Sequence, residues 1–183
     1  VRDRLRTVVL PDRQAMGAAA ASFAAARLRG MLATRDRARV IFAAAASQAE
    51  MLDALAAAGG IEWGRVELFH LDEYVGLPPG DERGFGPWLD RHLWSRIRPA
   101  RIERIAGANP DPEAECARYA TLLADGGIDL ALIGIGENGH LAFNDPHVAD
   151  FEDPLLVKVV EIDETSRRQQ VRERGARRQR YPL

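Results

Sequence analysis

Short, nearly continuous apolar segments recur along this chain, and amphipathic segments of helical length separate them. The strongest apolar segments cover residues 39–42, 66–70 and 128–133. Strands that are apolar at almost every position are typical of parallel sheets, because each crossover connection covers one face of the sheet with a helix. The alternation therefore predicts an α/β fold in which a mainly parallel sheet lies between two layers of helices.

Residues that start and stop helices bracket the segments between these strands. Asp12 is placed to cap a long alanine-rich helix, and Ser47 is placed to cap the next helix. Pro112 opens a further predicted helix, and Gly126-Gly127 would end it. Weaker strand predictions cover residues 7–10 and 156–160.

The composition fits one soluble globular domain. The chain has 183 residues, of which 46% are hydrophobic, and this is enough for a substantial core. We see no apolar run of membrane-spanning length and no signal peptide, so a cytoplasmic protein without membrane contact is expected. The single cysteine, Cys116, excludes an internal disulfide. No trio of ligand-type residues has the spacing of a metal site, and neither a metal nor a cofactor is predicted.

The net charge of −2 conceals a strong asymmetry along the chain. Residues 167–183 contain seven arginines and one glutamate, a net charge of +6, so residues 1–166 carry a net charge of −8. Basic segments bind nucleic acid in some proteins, but this one lacks the interleaved aromatic residues that stack on bases. The acidic body therefore argues against a nucleic-acid partner, and residues 172–183 are predicted to form a solvated, irregular tail.

The loops that follow the three strong strands are polar, each in a different way. Small residues and Ser47-Gln48 follow the first strand, LDEYVGL at 71–77 follows the second, and GIGENGHLAFNDP at 134–146 follows the third. Ligands of open parallel sheets bind beyond the carboxyl ends of the strands. These loops should therefore border one crevice, which is the predicted functional site.

The 134–146 loop combines glycines with groups that transfer protons. Gly136 and Gly139 permit close backbone approach and positive φ, so that backbone amides can face a ligand oxygen. Imidazole titrates close to neutral pH, which suits His140 for proton transfer, and Asp145 is well placed to fix its tautomer. A structural interpretation stays open, in which His140 is packed, Asp72 caps a turn and Glu73 is its solvated neighbour.

The segments at 71–77 and 134–146, with AECARY at 114–119 between them, resemble the glucosamine-6-phosphate deaminase family. Relatives of that family include 6-phosphogluconolactonases and sugar-phosphate-sensing regulator domains. The resemblance covers about residues 38–171 and implies a Rossmann-like three-layer α/β/α fold. It also implies conversion of an amino-sugar 6-phosphate to a ketose 6-phosphate plus ammonia, in which the ring opens, a proton moves from C2 to C1 and the amine leaves.

The resemblance assigns roles to particular residues. Asp72 lies where the family has the base for C2, and His140 matches the histidine of ring opening. Asn138 stands where many members have aspartate, and Asp145 replaces the usual glutamate with a side chain one methylene shorter. For the sugar phosphate, Ser47 and the amides of Gln48 and Ala49 replace a Gly-Gly loop, and Arg172 falls near an arginine of the family's active site. Gly136 and Gly139 complete the predicted binding loop.

Two other functions stay open on the same fold. One is a non-catalytic sugar-phosphate sensor, which would have no need of a general base, and the other is a 6-phosphogluconolactonase-like hydrolase. The resemblance fades after residue 171, so the expected domain covers residues 1–171 and lacks the C-terminal elements of the family. The predicted partner is a small sugar phosphate, and a homo-oligomer is left open.

Overall fold

A computed structural model describes residues 5–174 of the chain, and four strands in this range form one parallel sheet. The strands are β1 Ala38–Phe42, β2 Val66–His70, β3 Arg101–Ile102 and β4 Leu130–Leu132, and their spatial order is β3-β2-β1-β4. The α-helices of this range are α1 Arg13–Leu32, α2 Ala49–Ala57, α3 Phe85–His92, α4 Pro112–Ala124 and α5 Glu164–Arg174.

Strand β1 divides the core into two layers. Its side chains alternate, so Val40 and Phe42 join the large cluster formed with α1, α2 and α3, whereas Ile41 packs with Phe69 and Tyr119 on the side of α4. All five residues of β1 are buried, because the strand is covered on both faces and paired on both edges. The predicted α/β/α architecture is confirmed.

The connections change direction beside β1. The chain runs from β1 outward to β2 and β3, and then returns through α4 to place β4 on the opposite edge of β1. The loops that follow β1 and β4 therefore lie next to each other at the carboxyl ends of the strands, where ligands of open parallel sheets bind in a crevice. This crevice is the place where the sequence predicts the functional site.

Most of the predicted helix boundaries agree with the structure, but Ser47 does not cap a helix. The Asp12 side chain accepts a hydrogen bond from the amide of Ala15 at 2.8 Å and caps α1, and α4 begins at Pro112. Ser47 lies instead inside a 3₁₀ turn, Ala46–Gln48, which leads directly into α2. Neither that turn nor α2 has a side-chain cap, because the backbone amides at this point are bonded within the turn.

Two weaker strand predictions are wrong. Residues 7–10 form no ladder, and Val9 is 90% exposed, because no neighbouring strand reaches this segment. Residues 156–160 also stay outside the sheet. There the ammonium group of Lys158 contacts the carbonyl of Val148 at 3.0 Å and the carboxylate of Asp153 at 2.6 Å, which holds the segment against the preceding turn.

Helix α5 extends through residues 172–174, which the sequence had placed in an irregular tail. Pairs four residues apart support this end of the helix, since Gln169 donates to the carboxylate of Glu173 at 2.9 Å. The rest of the predicted tail, residues 175–183, lies outside the described residues. Within residues 5–174, no helix has the length and apolar character that crossing a membrane requires.

Candidate active site

The loops after β1 and β4 meet at Gly134. A Cβ atom at this glycine would lie 3.3 Å from the side-chain amide nitrogen of Gln48 and 3.4 Å from the hydroxyl oxygen of Ser47. Ser47 is exposed, whereas Gln48 is buried. The structure thus brings the two predicted phosphate-binding residues beside the loop that carries His140.

The imidazole ring of His140 packs directly against Gly136. A Cβ atom at Gly136 would lie only 2.2 Å from Cε1 of the imidazole, so any other residue here would displace the ring. The amide of Gly136 also donates to the carbonyl of His140 at 2.9 Å, which closes the turn through Gly139 at a φ of 87°. Both glycines are therefore required by the geometry of the loop, one for close approach and one for positive φ.

Three oxygen atoms surround Nδ1 of His140. The Asn138 side-chain oxygen lies 2.7 Å away, a carboxylate oxygen of Asp145 lies 2.9 Å away, and the hydroxyl of Ser166 lies 3.0 Å away. Carboxylate and amide oxygens only accept hydrogen bonds, so this arrangement places the proton of the neutral imidazole on Nδ1. Nε2 is then the atom that is able to take up and return a proton.

Asp145 is the centre of this polar network. It is fully buried, and its first carboxylate oxygen accepts from the Ser166 hydroxyl at 2.6 Å and from the Asn138 amide at 2.8 Å. Its second oxygen accepts from the backbone amide of Asp163 at 2.6 Å. A buried carboxylate needs this degree of hydrogen bonding. The contact between Asp145 and His140 that the sequence predicts is therefore present, despite the shorter side chain.

The start of helix α5 supplies two members of the network that sequence reasoning missed, Ser166 inside the helix and Asp163 just before its first residue. Asp163 accepts from the Ser166 amide at 2.7 Å at the start of the helix, and its other oxygen accepts from Asn138 at 2.8 Å. The Ser166 amide, followed by the Asn138 side chain, holds the pKa of Asp163 below its usual value. The signal available in the sequence was an aspartate three residues before a serine at a helix start.

Residues 142 and 143 carry the loop away from His140 in a strained conformation. Ala142 has a φ of 51° and Phe143 a φ of 55°, both in the left-handed region that residues with a side chain seldom adopt. The buried Phe143 ring stacks on His140, with 5.1 Å between the ring centroids. Such strain clusters at functional sites, where the surrounding packing maintains it.

Asp72 and Phe143 line one cavity. Asp72 is half-buried and lies two residues after the end of β2. The same cavity is lined by Ile105, Ala142 and Lys158. Phe143 contacts both this cavity and the His140 ring. The loops after β2 and β4 thus meet across one aromatic side chain, as their positions in the sheet predict.

Glu73 is not the solvated neighbour of Asp72 that the structural interpretation supposed. Its carboxylate accepts from the backbone amides of Phe85 and Gly86, both at 2.9 Å. These amides begin α3, whose N-cap residue is Gly84 and provides no side-chain acceptor. Glu73 therefore caps α3 from another part of the chain, and it also accepts from the amide of Tyr74 at 3.0 Å.

Arg172 is located at the 134–146 loop, where its guanidinium pairs with the carboxylate of Glu137. Gln169, one turn earlier in α5, accepts from the amide of Glu137 at 3.3 Å. The following residue, Glu173, shares a cleft with Ala46, next to Ser47. Helix α5 thus reaches both the histidine loop and the neighbourhood of the predicted phosphate-binding residues.

No group of three or more histidine, cysteine, aspartate or glutamate side chains in the described range is arranged to hold a metal ion. The carboxylates of Asp145 and Asp163 accept hydrogen bonds from backbone amides and a hydroxyl.

The chain belongs to the family of glucosamine-6-phosphate isomerases and 6-phosphogluconolactonases, whose family model matches residues 11–170. It is 40% identical over 112 residues to glucosamine-6-phosphate deaminase 2 of Bacillus subtilis (strain 168), a match that covers 60% of this chain and 44% of that protein. It is 34% identical over 148 residues to glucosamine-6-phosphate deaminase of Arthrobacter sp. (strain FB24), covering 78% of this chain and 55% of that protein. The chain therefore spans about half the length of the curated relatives it matches.

Solved structures support the same relationship. A monomeric glucosamine-6-phosphate deaminase superposes with a TM-score of 0.80 at 25% identity, covering 89% of this chain and 67% of that one. The 6-phosphogluconolactonase from Thermotoga maritima superposes with a TM-score of 0.70 at 19% identity, covering 84% of this chain and 70% of that one. At such low identity the second comparison establishes the shared fold. The resemblance stated from the sequence is confirmed.

Proposed function

We propose that this chain is an amino-sugar-phosphate deaminase of the isomerising type. It would convert a 2-amino-2-deoxyhexose 6-phosphate and water to a ketose 6-phosphate and ammonia. The curated relatives with 34–40% identity carry the name glucosamine-6-phosphate deaminase, which supports this reaction over lactone hydrolysis.

The geometry of His140 is the observation that carries the proposal. Its Nδ1 atom faces three oxygens within 3.0 Å, and its side chain is only 10% exposed, so the ring is fixed in one tautomer. With the proton on Nδ1, Nε2 is suited to take the proton of the sugar 1-hydroxyl and return it to the ring oxygen. Asn138 and Asp145 would then be positioning groups, and the imidazolium formed during the step would be stabilised by the Asp145 charge.

Asp72 is proposed as the base for the carbon chemistry. In the opened sugar, it would take the proton from C2 and deliver it to C1, while a proton passes from the amine nitrogen to O1, and the aminoaldose becomes an imine at C2. Water then adds to the carbon–nitrogen double bond of the imine at C2, and ammonia leaves as the C2 carbonyl forms. The cavity lined by Asp72 and Phe143 is where these carbon atoms would lie.

The phosphate is assigned to the region where β1, β4 and α5 come together. Ser47 would donate its exposed hydroxyl and Gln48 its side-chain amide, because the predicted donor, the Gln48 backbone amide, is bonded to the carbonyl of Ala45 at 2.8 Å, while Gly136 and Gly139 shape the adjoining loop. Arg172 would exchange its partner Glu137 for the phosphate, a change for which guanidinium groups are well suited. The cytoplasmic location and the absence of a nucleic-acid partner are further predictions of this proposal, and a homo-oligomer is left open.

The test uses the 183-residue chain with hexosamine 6-phosphates that differ in configuration at C2 and C4, and with 6-phosphogluconolactone. Ammonia, ketose phosphate and acid release are measured in parallel. We expect equimolar ammonia and ketose 6-phosphate from one amino sugar. Acid release from the lactone alone would favour the hydrolase, and ligand binding without turnover of any compound would favour the sensor.

A further inference from the structure

His70, the last residue of β2, is a buried histidine that the proposed reaction does not use. It is fully buried, and its ring packs edge-on against Trp94 and Tyr119, with centroid separations of 5.7 Å and 6.3 Å. Its Nε2 atom accepts a hydrogen bond from the backbone amide of Ile105 at 2.8 Å. An imidazole that accepts at Nε2 carries its proton on Nδ1 when it is neutral.

Burial keeps this ring neutral. Desolvation lowers the pKa of His70 to about 3, and the nearby charge of Arg104 acts in the same direction. The backbone of Asp72 and the carboxylate of Glu115 act in the opposite direction, with smaller effects. Nδ1 has no hydrogen-bond partner of ordinary geometry, although the Asp72 backbone lies close enough to favour a proton there. The ring thus lies between the backbone of Asp72 and the amide of Ile105.

The residues around Ile105 form another part of the wall of the Asp72 cavity. Ile105, Ala106 and Gly107 line the same cavity as Asp72. Each of the three is held by a separate hydrogen bond: Ile105 by His70, Ala106 by the Glu115 carboxylate at 2.7 Å, and the Gly107 carbonyl by the amide of Gly76 at 2.7 Å. The first and the last of these bonds come from residues that flank Asp72 in the chain.

The backbone of His70 is fixed as firmly as its side chain. The hydroxyl of Tyr119 accepts from the His70 amide at 3.0 Å and donates to the His70 carbonyl at 2.9 Å. Helix α4 therefore secures the end of β2, and the imidazole transmits this constraint to the 105–107 wall. The carboxylate of Asp72, two residues after His70, therefore lies between two segments whose positions are fixed.

We propose that His70 is a positioning residue for Asp72, acting as a neutral buried bridge between the end of β2 and the 105–107 wall of the Asp72 cavity. This inference rests on the proposed function, in which Asp72 is the base for C2. A displacement of a reacting group by about 1 Å costs up to about a hundredfold in rate. Loss of the bridge should therefore lower the rate of C2 proton transfer and leave substrate affinity nearly unchanged.

Two substitutions separate this role from simple core packing. His70→Phe keeps a planar ring but loses both nitrogens, whereas His70→Gln keeps an acceptor that is able to reach the Ile105 amide. His92→Gln, on helix α3, is the matched control. We expect His70→Phe to lower kcat and the exchange of the C2 proton by about tenfold to a hundredfold with KM within about twofold. His70→Gln should recover most of the loss, and His92→Gln should behave as the wild type.

Amide hydrogen exchange provides a readout that does not depend on turnover. The Ile105 amide should lose protection in His70→Phe and regain it in His70→Gln. If the wild type converts no amino-sugar phosphate, the proposed function fails, and this amide measurement with the titration of Asp72 by carbon NMR still tests the bridge. Unchanged Ile105 protection and an unchanged Asp72 titration in His70→Phe would overturn the inference, as would equal kcat losses in the Phe and Gln variants.

Discussion

The loops after β2 and β4 both carry residues of the candidate site, but they are held in different ways. The loop at 71–77 is held mainly by bonds to backbone groups of other segments: the Glu73 carboxylate accepts from the first amides of α3, and the Gly76 amide donates to the carbonyl of Gly107. The loop at 134–146 is held by side chains, through the network that joins His140, Asp145 and Ser166. The first loop thus depends mainly on α3 and on residues 105–107, with one bond to α5 from the Tyr74 hydroxyl to Gln170 at 2.8 Å, and the second depends on the start of α5.

This difference predicts which substitutions lower the stability of the fold and which lower turnover. Substitutions that break the backbone anchors of the first loop should mainly lower the free energy of unfolding, because they leave helix or loop amides without partners. Substitutions in the side-chain network of the second loop should mainly lower turnover, because they change the tautomer and orientation of His140. Asp72 is the exception in the first loop, since its proposed task is chemical.

The largest effect is expected at His140. His140→Ala should lower turnover of a ring-closed substrate by about 10²- to 10³-fold, because it removes the group that transfers the ring-opening proton. A 5-deoxy analogue, which is unable to close the six-membered ring, should lose much less. His147→Ala, an exposed histidine on the following turn, is the control. Equal losses with both compounds would contradict the ring-opening role.

Acid should destabilise the fold through His70. Its pKa is about 3 in the folded protein and near 6.5 in an unfolded chain, so between these values the unfolded state binds a proton that the folded state does not. The free energy of unfolding should therefore fall by roughly 1.4 kcal/mol per pH unit below pH 6.5 from this residue alone. Urea unfolding between pH 7 and pH 5 measures this slope.

The variant His70→Gln should lack this component of the slope, whereas His92→Gln should keep it. Parallel slopes for the wild type and His70→Gln would mean that the buried imidazole is not the group that titrates on unfolding.

Glu73 tests the backbone anchors of the first loop. Glu73→Gln should lower the free energy of unfolding by about 1–3 kcal/mol, because an amide cannot accept from all the N–H groups that the carboxylate binds. Glu82→Gln, an exposed glutamate of the same region, should have little effect. An unchanged urea midpoint in Glu73→Gln would show that the α3 cap contributes little.

Ser166 tests the side-chain network with a smaller expected effect. Ser166→Ala removes one hydrogen bond to Asp145 and one contact of His140, and we expect turnover to fall about tenfold, equivalent to about 1.4 kcal/mol. Thr165→Ala, its exposed neighbour, is the control. If kcat stays at the wild-type value, Asn138 and Asp145 suffice to hold the imidazole.

Local sequence patterns were sufficient for the elements that build the sheet. The apolar segment at 66–70 forms β2 over the predicted residues, and α4 starts at Pro112 as predicted. The predicted strand at 156–160 failed because a largely apolar segment forms a strand only where the edge of a sheet pairs with it. Here the tether of Lys158 to Val148 and Asp153 directs the segment elsewhere.

The missed members of the site come from distant parts of the chain. Ser166 meets Asp145 across 21 residues, and no pattern near Ser166 distinguishes it from an ordinary residue in the first turn of a helix. Glu73 caps a helix whose first amides lie 12 and 13 residues further on, so its role depends on where α3 begins. Contacts of this kind are set by tertiary packing, which local patterns do not encode.

The most direct test of the proposed reaction follows the hydrogen at C2. A hexosamine 6-phosphate labelled with deuterium at C2 is incubated with the wild type and with Asp72→Asn, and NMR locates the label. We predict that the wild type moves the label to C1 of the ketose or into water while releasing equimolar ammonia. Asp72→Asn should bind the sugar and leave the label in place. Retention of the label at C2 with the wild type, or equally fast loss with the variant, would contradict the assignment of Asp72 as the base.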